Sequence, residues 1–137
     1  MKRSDLNWIA GILDKGCAVS GMVPQNGTAY VRLIISSTNM EVAMKLHALL
    51  GTGSIKISTR ESMIRYHGLK KSQSKIKHSF RYCLYGSNAA NLLQRVLPYL
   101  RTERMQKRAR LAIQLDKDRS DKTLAKLRKL GTRTIKA

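Results

Sequence analysis

The sequence predicts an α+β fold, with four antiparallel strands in one sheet and helices covering one face. Two observations carry this reading. Runs with a two-residue apolar alternation come in two pairs, and runs with three-to-four-residue apolar spacing stand before, between and after those pairs. The first pair is joined by Pro24-Gln25-Asn26-Gly27, and Asn-Gly after Pro is a strong hairpin signal. The resulting order is helix, hairpin, helix, hairpin, helix, helix, which stacks the helices on one side of an antiparallel sheet. At 137 residues the chain has room for one modest core and not for two.

Each element has a local reason. Ser4 or Asp5 is suited to cap a first helix over Leu6 to Leu13, with Leu6, Ile9, Ala10 and Leu13 on one face, and Gly16 ends it. Residues 17 to 23 and 29 to 36 are β-rich; along the second run Val31, Leu33 and Ile35 share one face while Tyr30 and Arg32 take the other. Ser37 or Thr38 is suited to cap the next helix, with Glu41 a capping-box partner three residues on from Thr38, and the helix runs to about Leu50, striped by Val42, Leu46, Leu49 and Leu50. Gly51-Thr52-Gly53 stops it. The third strand, Ser54 to Arg60, is expected to turn Ile55 and Ile57 inward and Lys56, Ser58 and Arg60 outward. Residues 61 to 77 are polar and basic, including Arg65, Lys70, Lys71, Lys75 and Lys77, and 68 to 75 read as an exposed loop. The fourth strand, His78 to Tyr85, sets Phe80, Tyr82 and Leu84 against Arg81. Helices follow over about 87–97 and 102–115, separated by Pro98. The segment 116–137 reads as a separate basic tail, its Leu124, Leu127 and Leu130 spaced for a weak amphipathic helix, and is expected to be poorly ordered alone or folded onto a partner.

The charge balance narrows the partners. There are 27 Lys and Arg against 8 Asp and Glu, a net charge of +19. Such an excess repels itself in a compact fold and points to a polyanionic partner. A membrane surface is disfavoured, since no stretch is a basic amphipathic helix with an aromatic anchor or a span of apolar residues. Cys17 and Cys83 form no disulfide framework, and with three scattered histidines they make no zinc set. Both are expected to be reduced, in an intracellular protein whose bacterial, phage or organellar setting stays open. Aromatic residues are 5% of the chain, too few for a stacking platform for single strands.

Residues Ile9-Ala10-Gly11-Ile12-Leu13-Asp14 resemble the signature helix of the LAGLIDADG homing endonucleases. Leu49-Leu50-Gly51-Thr52-Gly53-Ser54-Ile55 is similar to that family's helix-to-strand turn, and Phe80-Arg81-Tyr82 through Leu97-Pro98-Tyr99-Leu100-Arg101-Thr102 to its fourth strand and following helix junction. The three pieces stand in the family's order across residues 6 to 115. The resemblance implies an αββαββα fold whose four-stranded saddle sheet lies over double-stranded DNA. It also implies a homodimer, since the motif occurs once, with Leu6, Ala10, Gly11 and Leu13 at the interface.

The resemblance breaks where the family binds Mg²⁺. After the Asp the family continues Gly-acid-Gly, whereas this chain continues Lys15-Gly16-Cys17. The metal-binding acid falls on Lys15 or Gly16, neither of which can coordinate Mg²⁺, and Asp14 is the fallback ligand. A family lysine near the scissile phosphate falls on Glu103, so a Lys15–Glu103 ion pair is a further expectation. The resemblance therefore implies sequence-directed DNA binding with cleavage weak or lost. The contacts would come from Tyr30, Arg32, Lys56, Arg60, Arg65, Lys70, Lys71, Lys75, Lys77 and Arg81. An active Mg²⁺-dependent endonuclease and an intron RNA-binding maturase remain the alternatives.

Overall fold

The computed structural model of the protein describes residues 1–25, 27–58 and 79–131. The described elements are α1 (Arg3–Lys15), β1 (Ala18–Met22), β2 (Tyr30–Ser37), α2 (Met40–Leu50), β3 (Ser54–Ser58), β4 (Ser79–Tyr85), α3 (Gly86–Val96), a 3-10 turn (Leu97–Tyr99), α4 (Glu103–Asp118) and α5 (Asp121–Gly131). All pairings are antiparallel and the sheet order is β1-β2-β4-β3. This is the α+β architecture that the paired alternations predict.

One face of the sheet makes the core. Val19 of β1, Val31, Leu33 and Ile35 of β2, and Tyr82 and Leu84 of β4 pack with Ile9 and Leu13 of α1, Leu46 of α2, Leu93 and Val96 of α3, and Ala109, Ala112 and Leu115 of α4. The buried Tyr82 hydroxyl donates to the Thr52 carbonyl, which satisfies its polar tip; burial pushes its phenol up to about 12. The turn that supplies this carbonyl needs its glycines. Gly51 and Gly53 have φ of 71° and 93°, backbone that L side chains rarely adopt, and a Cβ on Gly53 would stand 2.8 Å from the Cys83 carbonyl oxygen.

Several boundaries differ from the sequence reading for local reasons. Helix α1 starts at Arg3 with Lys2 as its N-cap, and Asp5 accepts from the Lys2 backbone N–H at 3.2 Å. Asp5 therefore reaches back from the third helical position instead of capping the helix. In α2 the cap is Asn39, not Thr38. Its side chain accepts from Glu41 N–H at 2.9 Å, while Ser37 Oγ accepts from Asn39 N–H at 2.9 Å. Ile57 was expected inward but is 54% exposed. It lies near the end of edge strand β3, paired only with β4, where the helical layer no longer covers it.

The largest correction concerns the tail. Through residue 131 it is helical and packed: Thr123, Leu124 and Leu127 are buried, the two leucines within the core. A corner after α4 sets its direction. Ser120 N–H donates to Asp118 at 2.9 Å, Thr123 N–H to Ser120 Oγ at 3.1 Å, and the Thr123 hydroxyl to Asp118 at 2.8 Å. The bare backbone of Gly21 in β1 admits α5, since a Cβ there would meet Leu124 Cδ1 at 2.2 Å and Leu115 Cδ2 at 3.1 Å. Among the described residues no helix is long and apolar enough to cross a membrane.

Candidate nucleic-acid interface

Strand alternation fixes the face opposite the core. Since Val31, Leu33 and Ile35 point inward, Tyr30, Arg32, Ile34 and Ser36 of β2 point outward. The register carries this across the sheet in rows. Ser36 is opposite Arg81 and Arg81 opposite Lys56; Ser20 is opposite Arg32 and Arg32 opposite Tyr85. A middle row, Ala18, Ile34, Cys83 and Ser54, is small and largely apolar. Tyr30 and Tyr85 meet edge to face, ring centroids 6.4 Å apart. The outer face therefore presents two basic rows flanking a low apolar floor, and among the described residues the helices pack on the opposite face. Tyr30, Arg32, Lys56 and Arg81, expected to act together, share this face. Arg60, Arg65, Lys70, Lys71, Lys75 and Lys77 lie outside the described residues.

The end of α1 is built differently from the expectation. Asp14 accepts from Arg101 N–H at 2.8 Å, from Thr102 N–H at 3.2 Å and from the Thr102 hydroxyl at 2.8 Å. Thr102 is itself the N-cap of α4, accepting from Met105 N–H at 3.3 Å. Asp14 thus clamps the end of α1 to the start of α4. Burial pulls its pKa up, but the hydrogen bonds from Arg101 and Thr102 and the Arg101 charge outweigh this and hold the carboxyl below its ordinary value. Lys15 and Gly16 are exposed and carry no carboxylate. Glu103 does not reach Lys15; it pairs with Lys107 one turn on, at 3.3 Å.

A divalent metal wants several hard oxygen ligands. Here both Asp14 oxygens already accept hydrogen bonds, and the described residues contain no group of three His, Cys, Asp or Glu that could hold a metal. Lys15 and Gly16 offer no side-chain oxygen to Mg²⁺, and the Asp14 oxygens are engaged with Arg101 and Thr102.

The expected dimer residues divide. Ala10 and Leu13 are each 1% exposed, taken up by the core of their own protomer, and Leu6 packs partly against that core. Gly11 is exposed, and a Cβ there would meet nothing within 4 Å. With Asn7, Asp14, Lys15, Tyr99 and Arg101 it lines a hollow of about 560 Å³ on the outer side of α1. The exposed face of α1 carries Asn7, Gly11 and Lys15.

Sequence reasoning missed a second basic cluster. Ser20, Arg32, Arg104, Arg108 and Arg128, with Cys17, Ala18, Val19, Gly21 and Leu127, line an open hollow of about 610 Å³ beside β1. Arg104 and Arg108 repeat four residues apart on α4, a like-charge spacing that puts two guanidiniums on one helix face. That repeat was the available signal. Burial pushes the neighbouring Cys17 thiol up to about 11, so it stays protonated at neutral pH.

No protein-family model matches the sequence, and no curated protein does. Solved structures do. The chain aligns with the homing endonuclease I-CvuI, solved in complex with target DNA, at a TM-score of 0.69 and 15% identity, over 98% of this chain and 87% of that one. The archaeal intron-encoded homing endonuclease I-Vdi141I, complexed with DNA, gives 0.56 and 13% over 95% and 86%. The LAGLIDADG meganuclease I-CpaMI, bound to uncleaved DNA, gives 0.58 and 16% over 91% of this chain but 42% of its own. At these identities the likeness is one of fold, and the chain has the α+β fold of these homing endonucleases.

Proposed function

We propose that the protein is a degenerate member of the LAGLIDADG family that binds double-stranded DNA on the outer face of its sheet and cleaves it weakly or not at all. The observation that carries this reading is the pair of basic rows, Arg32 in one and Arg81 with Lys56 in the other, on a sheet whose opposite face packs into the core. A twisted antiparallel sheet left open on one side presents such rows to a groove, and the net charge of +19 supplies the phosphate-neutralising field. The described neighbours that are complexes carry DNA on this fold. Weak or absent cleavage follows from the α1 end, where the acid expected to hold Mg²⁺ is replaced and Asp14 serves as a structural clamp.

The working unit in this reading is a homodimer through the outer face of α1. The chain matches most of I-CvuI but less than half of I-CpaMI, which is the proportion expected if the longer chain holds two such units. Symmetry then makes the target roughly palindromic.

Fluorescence anisotropy of a labelled duplex tests the binding face. Lys56→Ala combined with Arg81→Ala removes two cations from one row, and affinity should fall by roughly tenfold or more with a shallower salt dependence. Unchanged affinity in this double variant would move the contact away from the sheet.

A further inference from the structure

We propose that the arginine-lined hollow beside β1, framed by Ser20, Arg32, Arg104, Arg108 and Arg128, is a phosphate-binding site. This deepens the DNA-binding reading by naming a phosphate anchor that does not need the missing metal. Arginines from three elements line it, Arg32 from β2, Arg104 and Arg108 from α4, and Arg128 from α5, and among the described residues no carboxylate lines the hollow. Arg108 is 8% exposed. One of its terminal nitrogens donates to the Leu130 carbonyl at 2.9 Å, which ties α4 to the end of α5, but its Nε is buried without a partner. Arg32 Nε and Ser20 Oγ are buried without partners as well. Three orphaned polar groups in one basic hollow lack an acceptor, and buried donors are ordinarily paired.

Phosphate supplies what is missing. Its oxygens accept several hydrogen bonds at once, and its geometry suits the guanidinium fork. Burial, and then the like charge of Arg104, pull the Arg108 pKa down; the negative charge of an anion between these side chains opposes that shift. The Cys17 thiol, held protonated, adds no competing negative charge. The hollow adjoins the end of α1 through Cys17, Arg104 and Arg108, which also line the cleft around Asp14, Lys15 and Gly16. A phosphate seated here lies next to the position at which the family resemblance puts the metal acid. The hollow is open on one side, which admits a phosphate still attached to a polynucleotide chain.

The test is the thermal unfolding midpoint of the full chain in inorganic phosphate against chloride at equal ionic strength, for the wild type, Arg104→Gln and Arg32→Gln. Phosphate should raise the wild-type midpoint saturably. Arg104→Gln, an exposed position whose charge opposes Arg108, should be at least as stable in chloride yet lose most of the phosphate response, and Arg32→Gln should lose it too. A duplex titration separates the two sources of phosphate. If the anion belongs to the nucleic-acid backbone, Arg104→Gln lowers the salt slope by about 0.9 per phosphate lost; if it is free phosphate, duplex affinity stays unchanged while the thermal response disappears. Equal wild-type midpoints in phosphate and chloride, or an undiminished response in both variants, would overturn the assignment. Lys56→Ala with Arg81→Ala should keep the phosphate response, so failure of the sheet reading and failure of this site are distinguishable.

Discussion

Asp14 shows how a residue in a family motif can be committed to architecture. Its two oxygens accept three hydrogen bonds from Arg101 and Thr102, 87 and 88 residues along the chain, and thereby fix the entry of α4. Asp14→Ala should lower stability by about 1 kcal/mol, the usual cost of losing a helix-capping side chain, in urea unfolding at neutral pH. Its folded pKa lies below the unfolded value of 3.8. The stabilisation is thus fully present above about that pH and is lost as pH falls through the lower folded value. The stability gap between wild type and Asp14→Ala should close in strong acid and should not respond to Mg²⁺. A metal-ligand role would instead make the gap grow with Mg²⁺. The sequence marks Asp14 as the last acid of the motif, but nothing local to it reveals partners so far along the chain. Arg108 is similar: a charged residue inside a basic helix gives no local sign that it will be buried against the end of α5.

At the scale of elements, periodicity was informative and the direction of packing less so. The spacing of Leu6, Ile9, Ala10 and Leu13 defines a helical stripe but not whether it faces the protomer's own sheet or a second copy. The structure turns Ile9, Ala10 and Leu13 inward, because α3 and the 3-10 turn offer an apolar surface to α1, and leaves Gly11 outside. This makes Gly11→Leu a selective probe. The space around Gly11 is open within the protomer, and Leu has the better helix propensity by roughly 1 kcal/mol, so the protomer should unfold at the same or a higher urea concentration. Across a helix-to-helix dimer contact the same side chain overpacks by about 1–3 kcal/mol, so sedimentation should show weakened self-association. Loss of protomer stability without any change in association would contradict the proposed interface. For α5, the leucine spacing was legible, yet its docking depends on the missing side chain of Gly21, a residue about a hundred positions away that reads locally as a weak point in a strand.

For the whole molecule, the fold was legible because three kinds of signal agreed: alternation in four short runs, turn residues at their ends, and helical stripes between them. The outward set Tyr30, Arg32, Lys56 and Arg81 followed from that alternation. The arginine hollow did not, since it forms only when β1, α4 and α5 come together. On the proposed reading the +19 charge acts in two places, a basic sheet face and a basic hollow at the end of α1, in a scaffold that lacks the family's metal-binding acid. The central claim is that this scaffold holds duplex DNA without cutting it. The most direct measurement is to incubate the protein with a duplex selected from a random pool, in Mg²⁺, and to read the same sample by anisotropy and by denaturing gel. Saturable binding is expected, with both strands intact over many binding lifetimes. Mg²⁺-dependent strand breaks at a defined position, lost in Asp14→Ala, would contradict it and return the metal to Asp14.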